Sequence, residues 1–331
     1  MSDTRFDVLG IGNAIVDILV QADDAFLEAH GLIKGAMALV DAERAAALYQ
    51  AAGPAVECSG GSAANTIAGL ASLGGRGAFV GKVRDDQLGG VFSHDIRAAG
   101  VHFETPSATA GAATATSLVL VTPDAERTMQ TYLGACVDLG PDDIDEAEIA
   151  AAKVTYLEGY LWDPPAAKEA FRKAAGAAHA SGREVSLSLS DPFCVDRHRA
   201  DFRELVEGHV DILFANEDEI ISLYEAADFD TALQAVRGHC ALAALTRSAK
   251  GSVVLAGDEV HVIDAEPVAD VVDTTGAGDA YAAGFLAGYT GGRDLATAAR
   301  MGNIAAAEVI SHLGARPATA LDALVAERLG A

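Results

Sequence analysis

Asp273-Thr274-Thr275-Gly276-Ala277-Gly278-Asp279-Ala280-Tyr281-Ala282-Ala283-Gly284 decides how the chain is read. It follows a run ending in Val271-Val272 and opens an alanine-rich, proline-free segment at 280–289, so its glycines sit where a loop becomes a helix. The first amides of a helix lack internal partners. Glycine lets an anion approach them, with the positive end of the helix dipole behind. Asp279 is the odd member of such a loop, because a carboxylate there repels a phosphate. Two readings of it stand: a helix cap, or a base that takes a proton from an attacking hydroxyl.

Outward from this loop, the second half alternates strand-like and helix-like segments. Strands are expected at 154–158, 185–189, 211–215 and 241–246, and helices at 164–180, 195–207 and 216–226. Such alternation predicts an α/β fold with a mostly parallel sheet covered on both faces. The first half reads differently. A buried strand at 6–11 leads into Gly10-Ile11-Gly12-Asn13, which lacks the third glycine of a dinucleotide fingerprint and continues as strand at 15–20. Further short strands are expected at 35–40, 56–58 and 114–121, and a hairpin turns through Pro123-Asp124-Ala125-Glu126 into 127–132. Together they predict a small sheet standing over the main domain as a lid.

Composition narrows the function classes. The chain has 331 residues, half of them hydrophobic, enough for one large α/β unit. The formal net charge of -25, spread along the chain, argues against nucleic-acid or anionic-membrane partners. Cys58, Cys136, Cys194 and Cys240 are dispersed and read as reduced thiols rather than a metal framework. The N-terminus lacks the regions of a signal peptide, and no apolar run reaches membrane-spanning length, so a cytoplasmic location is expected. No Walker loop occurs.

Several side chains fall where α/β sheets place ligands. Asn13 and Asp17 flank the end of the first strand, and an Asp with an Asn can hold vicinal hydroxyls. In Ser59-Gly60-Gly61-Ser62-Ala63-Ala64-Asn65-Thr66, small residues precede a helical run, and Asn65 offers both a donor and an acceptor. Tyr160 and Phe193 follow strand ends and are candidates for a flat hydrophobic wall at the ligand edge. Each also has a plain structural reading, as turn, packing or core residue.

The 273–279 loop, the 59–66 segment and the stretch 74–89 resemble the two signatures of the ribokinase family, the PfkB-type sugar and nucleoside kinases. The order Ser190-Asp191-Pro192-Phe193, followed by 210–217, resembles its adenosine kinase branch. The resemblance implies one ribokinase-like three-layer α/β/α domain over 1–331, with a lid from about 13–22, 35–59 and 102–133. It implies ATP as phosphoryl donor, Mg²⁺, and in some relatives a monovalent cation such as K⁺. Carried over by residue, Asp279 becomes the catalytic base and the Gly276, Ala277 and Gly278 amides an anion hole, with Arg127 reaching the transferring phosphoryl group. Asn13, Asp17, Gly61 and Asn65 become substrate contacts, beside the aromatic wall of Tyr160 and Phe193. Asn216 and Glu219 match an Asn-x-x-Glu motif that orders Mg²⁺ and its waters. Thr246, Ser248, Gly251 and Asn303 fall on the nucleotide side, although Ser248 stands where the family has glycine. The register at 82–86 departs from the family, so nothing is carried over for Asp85 and Asp86. The expected activity is phosphorylation of a nucleoside 5′-hydroxyl, adenosine to AMP first, as in purine salvage. A sugar kinase of the same family and a non-catalytic nucleoside sensor are the alternatives. A monomer and a homodimer are equally compatible with a lid of this kind.

Overall fold

The computed structural model describes residues 4–124 and 126–330. Its first strand explains the layering. In β1 (Phe6–Ile11), Leu9 and Ile11 enter one hydrophobic cluster and Val8 the other, all fully buried. This is the signature of a strand covered on both faces. The chain continues through β2 (Ile15–Gln21), α1 (Asp24–Ala29), β3 (Met37–Leu39), α2 (Ala42–Ala51), β4 (Ala55–Gly60) and α3 (Ser62–Ser72). Then come β5 (Gly77–Val80), α4 (Gln87–Ala98), β6 (Ala115–Val121) and β7 (Arg127–Tyr132). The second half adds α5 (Glu146–Ala150), β8 (Ala152–Glu158), α6 (Pro165–Ala180), β9 (Glu184–Ser188), α7 (Pro192–Gly208), β10 (Ile212–Asn216), α8 (Glu217–Tyr224) and α9 (Phe229–Val236). It closes with β11 (Leu242–Thr246), β12 (Ser252–Ala256), β13 (Glu259–Ile263), α10 (Ala277–Thr290), α11 (Leu295–Val309) and α12 (Leu321–Leu329).

Eight strands form the main sheet in the order β13-β12-β11-β10-β9-β8-β1-β5. From β5 to β11 all neighbours are parallel, and β12 and β13 close one edge antiparallel. Trp162, Phe171 and Phe202 belong to the core on one face; Ile67, Phe79, Tyr281 and Phe285 belong to the core on the other. The helices that carry Phe171 and Phe202 on one face, and Ile67, Tyr281 and Phe285 on the other, complete a three-layer α/β/α architecture. α10 lies tightly on α11: a Cβ at Gly284 would stand 2.5 Å from the Met301 carbonyl. That packing sets the direction in which the first turn of α10 points.

The second sheet, in the order β3-β7-β6-β2-β4, forms the lid. Along β2, Val16, Ile18 and Val20 are buried on the side packed against the body, while Ile15 and Asp17 turn to the opposite face. That alternation of period two fixes the lid's register. The segment expected in the lid from 102 contributes strand only from Ala115. Before it, His102 bridges Ala78 and Ala108 bridges Arg84, both on the main body. The hairpin pairs Thr116 with Tyr132 through Val121 with Arg127; Ala125 of its turn lies outside the described residues.

Candidate active site

A cavity of about 660 Å³ lies between the open face of the lid and the C-terminal ends of the parallel strands. Asn13 follows β1, Glu158 ends β8, Ser188 ends β9, Asn216 ends β10 and Thr246 ends β11, and all five line it. Ligands collect there in open α/β sheets because strand ends and the helix starts that follow them aim their polar groups into one crevice. From the lid come Ile15, Asp17, Met37, Leu39, Ser117, Val119, Arg127, Met129 and Thr131.

Gly276 caps α10 with φ +77°, a left-handed conformation that favours glycine, and a Cβ there would meet Ala315 at 2.7 Å. The loop before it is braced by Asp273, which accepts from the Thr275 amide at 3.0 Å and the Gly314 amide at 3.0 Å. Of the three amides expected to receive an anion, that of Ala277 already donates to the Thr274 carbonyl, at 3.2 Å. Asp279 sits in the first turn of the helix and lines the cavity, as do Gly276, Ala277 and Gly278. Its Oδ1 accepts from the Ser62 hydroxyl at 2.6 Å, so it is not the N-cap. Burial pushes its carboxyl up to about 6, opposed by hydrogen bonds from Ser62 and Asn65.

Asp273 also binds Arg127 of β7, with Nη1 2.8 Å from Oδ2. Both side chains are buried, yet Arg127 Nε and Nη2 have no partner among the described residues. A guanidinium inside the cavity with one nitrogen anchored and two unspent is suited to a multivalent anion. Asp17 of β2, paired with Cys58 of β4, is pushed up to about 6 by burial, with Arg316 and Arg127 opposing.

The substrate-side residues are held as a unit. Asn13 donates from Nδ2 to Glu158 Oε1 at 2.6 Å, and the Ala63 amide donates to Glu158 Oε2 at 2.8 Å. One buried carboxyl thus ties the turn after β1 to the start of α3; burial raises it to about 7. Gly61, with φ +96°, approaches the Asn13 carbonyl so closely that a Cβ would stand 2.2 Å away. Asn65, in the next turn, is buried and lines the cavity. Tyr160 donates to the Ser190 carbonyl at 3.2 Å, and Phe193 is 76% exposed at the cavity rim.

Asn216 and Glu219 form a capping box at α8: Glu219 accepts from the Asn216 amide at 2.9 Å and from its Nδ2 at 2.6 Å. Burial raises Glu219 to about 7. Among the described residues no cluster of three His, Cys, Asp or Glu side chains could hold a metal by itself. The pair suits a cation held mainly by waters and phosphates: a buried carboxyl with only amide donors gains its charge when a cation arrives.

On the nucleotide side the structure separates residues that the sequence grouped. Thr246 lines the cavity; Ser248, Gly251 and Asn303 do not. Ser248 adopts φ +50°, so the loop keeps the left-handed turn of a glycine at a cost of about 1–2 kcal/mol. Asn303 donates from Nδ2 to the Asp264 carbonyl at 2.9 Å, and Asp264 borders a second hollow of about 620 Å³. Asp86 caps α4 through the Gly89 amide and binds Thr114, which is a structural role. Ser62, Glu158 and Asp273 were missed as site residues. Glu158 had a signal, a carboxylate closing the strand run Val154-Thr155-Tyr156-Leu157. The four cysteines are free, and no helix among the described residues is long and apolar enough to cross a membrane.

The profile of the pfkB family carbohydrate kinases matches residues 39–321. The ATP-dependent ribose-1-phosphate kinase of Halopiger xanaduensis is 34% identical over 276 residues, covering 82% of this chain and 86% of that protein. A solved adenosine kinase from Sinorhizobium meliloti is 57% identical, with a TM-score of 0.91 over 99% of this chain and 100% of its own. A probable sugar kinase from Rhizobium etli is 53% identical, with a TM-score of 0.92 over 99% of both chains.

Proposed function

Because the chain belongs to the pfkB family, whose members are ATP-dependent kinases with an alcohol acceptor, we propose that it phosphorylates the 5′-hydroxyl of a nucleoside, adenosine first. The observation that carries this reading is the meeting of Asp279, the Gly276 to Gly278 turn and the Asn13, Asp17 and Asn65 side chains in one cavity. Its lid wall carries the apolar side chains Ile15, Met37, Leu39, Val119 and Met129 and its rim carries Tyr160 and Phe193, surfaces suited to a flat base. The 57% identity to the Sinorhizobium meliloti adenosine kinase supports the same substrate.

Asp279 takes the proton of the 5′-hydroxyl as its oxygen forms a bond to the γ-phosphorus of ATP. The bond between that phosphorus and the β–γ bridging oxygen breaks, and ADP leaves. A carboxyl near 6 is mostly ionised at neutral pH yet basic enough to hold the proton it receives. The Gly276 and Gly278 amides and the spare nitrogens of Arg127 meet the charge that spreads over the transferring group. Asn13 and Asp17 grip the ribose hydroxyls and orient the attacking oxygen. Asn216 and Glu219 are the residues that would hold Mg²⁺ and its waters, and the ion when bound supplies charge neutralisation at the phosphates. The lid excludes water that would otherwise hydrolyse ATP.

A second reading, a sugar kinase, draws on the 34% identity to the ribose-1-phosphate kinase. ADP release measured against a panel of nucleosides, free sugars and sugar phosphates decides between them. Turnover of sugars alone would sink the nucleoside reading, and nucleoside binding without ADP release would leave a sensor.

A further inference from the structure

Arg316 lies outside the cavity, on the loop between α11 and α12, in the stretch Gly314-Ala315-Arg316-Pro317 that resembles the family's adenine-side segment. Its neighbours on that loop reach the active site from behind. Gly314 donates to Asp273, and Ala315 packs against Gly276. Arg316 turns the other way: Nε donates to Asn65 Oδ1 at 3.2 Å, and Nη1 lies 3.3 Å from Asp95 Oδ2. Asp95 Oδ2 is itself fixed by the Ser59 amide at 2.7 Å and the Ser59 hydroxyl at 2.6 Å, just before the turn into α3.

This contact decides something about Asn65 that its own position leaves open. An asparagine amide has an acceptor end and a donor end of nearly the same shape, and its partners choose between the two orientations. A guanidinium carries only donors, so the atom facing Arg316 must be the carbonyl oxygen. The NH₂ is then left for the cavity side, where Asn65 stabilises the ionised Asp279. With the amide reversed, its oxygen would face that carboxylate and repel it. Arg316 is also the foremost positive charge acting on Asp17, ahead of Arg127. One guanidinium behind the wall therefore bears on both the base and the sugar grip.

We propose that Arg316 is a positioning residue for phosphoryl transfer, acting through Asn65 to hold the amide donor toward Asp279 and the acceptor hydroxyl. The inference rests on the kinase reading above. Arg316 itself touches no reactant. The chain Asp95–Arg316–Asn65 is hydrogen-bonded with one permitted polarity at each link, and it carries orientation to the side of Asn65 that lowers the proton affinity of Asp279. Loss of such orientation, without loss of any group that meets substrate, costs rate more than binding.

The test is a double-mutant cycle on the full chain, measured with whichever acceptor the wild type turns over. Arg316→Met is expected to lower kcat roughly tenfold to a hundredfold while KM for ATP stays unchanged, with Arg316→Lys recovering part of the loss. Adding Arg316→Met to Asn65→Ala is expected to lower the rate little further, because the two act as one unit. Asp95→Asn, which leaves the guanidinium in place but loosens its anchor, is expected to reduce kcat in the same direction by less. Losses that multiply in the double variant, or wild-type kcat in a folded Arg316→Met protein, overturn the inference. If Arg316→Met fails to fold, the cycle is run with Arg316→Lys and Asp95→Asn, and independent multiplicative losses with Asn65→Ala overturn it equally. A wild type that turns over sugars and no nucleoside removes the nucleoside reading alone, since the cycle is then decided on the sugar.

Discussion

The cavity has two walls built on opposite principles. The sheet wall is polar and cross-linked: Glu158 ties Asn13 to Ala63, Ser62 holds Asp279, and Asn216 and Glu219 bond each other. The lid wall carries an apolar patch that is partly uncovered, with Met37 47% and Leu39 57% exposed, and Ile15, Val119 and Met129 beside them. One buried ion pair, Arg127 with Asp273, joins the two. Chemistry needs groups fixed to within fractions of an ångström, and hydrogen-bonded carboxyls supply that. Binding a flat base needs apolar surface that is left open until the ligand covers it.

The contrast can be broken most severely from the sheet side. Asp279→Asn is expected to lower kcat by about 10³–10⁴-fold while ATP binding, followed by calorimetry, changes little. Near-normal turnover in that variant would remove Asp279 as the base. The joint between the walls comes next. Arg127→Lys keeps a charge for Asp273 but loses the spare guanidinium nitrogens, and kcat is expected to fall by about 10²–10³-fold with folding preserved. An unchanged rate would show that the pair only fastens the lid.

Protons sharpen the same contrast. Asp279 and Asp17 both sit near 6, so kcat/KM is expected to drop by about tenfold per pH unit below 6, and more steeply where both are protonated. A profile flat down to pH 5 would rule this out. The stability effect has the opposite sense. A carboxyl raised above its unfolded value binds protons more tightly in the native state, so its cost to folding is present above the native value and disappears as pH falls toward the unfolded one. Asp279→Asn is therefore expected to stabilise the fold at pH 8 by ~1–2 kcal/mol and by nothing near pH 4, read as the difference in Tm between variant and wild type at each pH. Equal Tm at every pH would contradict the burial described for this carboxyl.

The lid wall gives the smallest effect. Met37→Ser with Leu39→Ser is expected to raise KM for the nucleoside by about five- to tenfold, with kcat nearly unchanged, because only apolar contact with the base is lost. A fall in kcat with unchanged KM would assign the lid wall to the chemical step instead.

Local pattern made much of this molecule legible. The alternation of apolar strands with helices carried the main sheet, and period-two runs carried the lid, because burial on two faces or on one leaves its mark residue by residue. The turn into α10 was readable because Gly276 must adopt a positive φ at a helix start. What the sequence left open was partnership across the fold. Whether Asp279 caps or lines the cavity depends on Ser62, 217 residues away, and the polarity of Asn65 depends on Arg316, 251 residues away. Ser248, Gly251 and Asn303 were grouped with Thr246 by resemblance, yet main-chain geometry places only Thr246 on the main cavity. The sequence determined which segments are strands, helices and glycine turns, since those follow from each residue's own sterics and hydrophobicity. Only the tertiary structure decided which side chains share a hydrogen bond, a charge and a proton affinity, since these depend on distances set by packing between segments far apart in the chain.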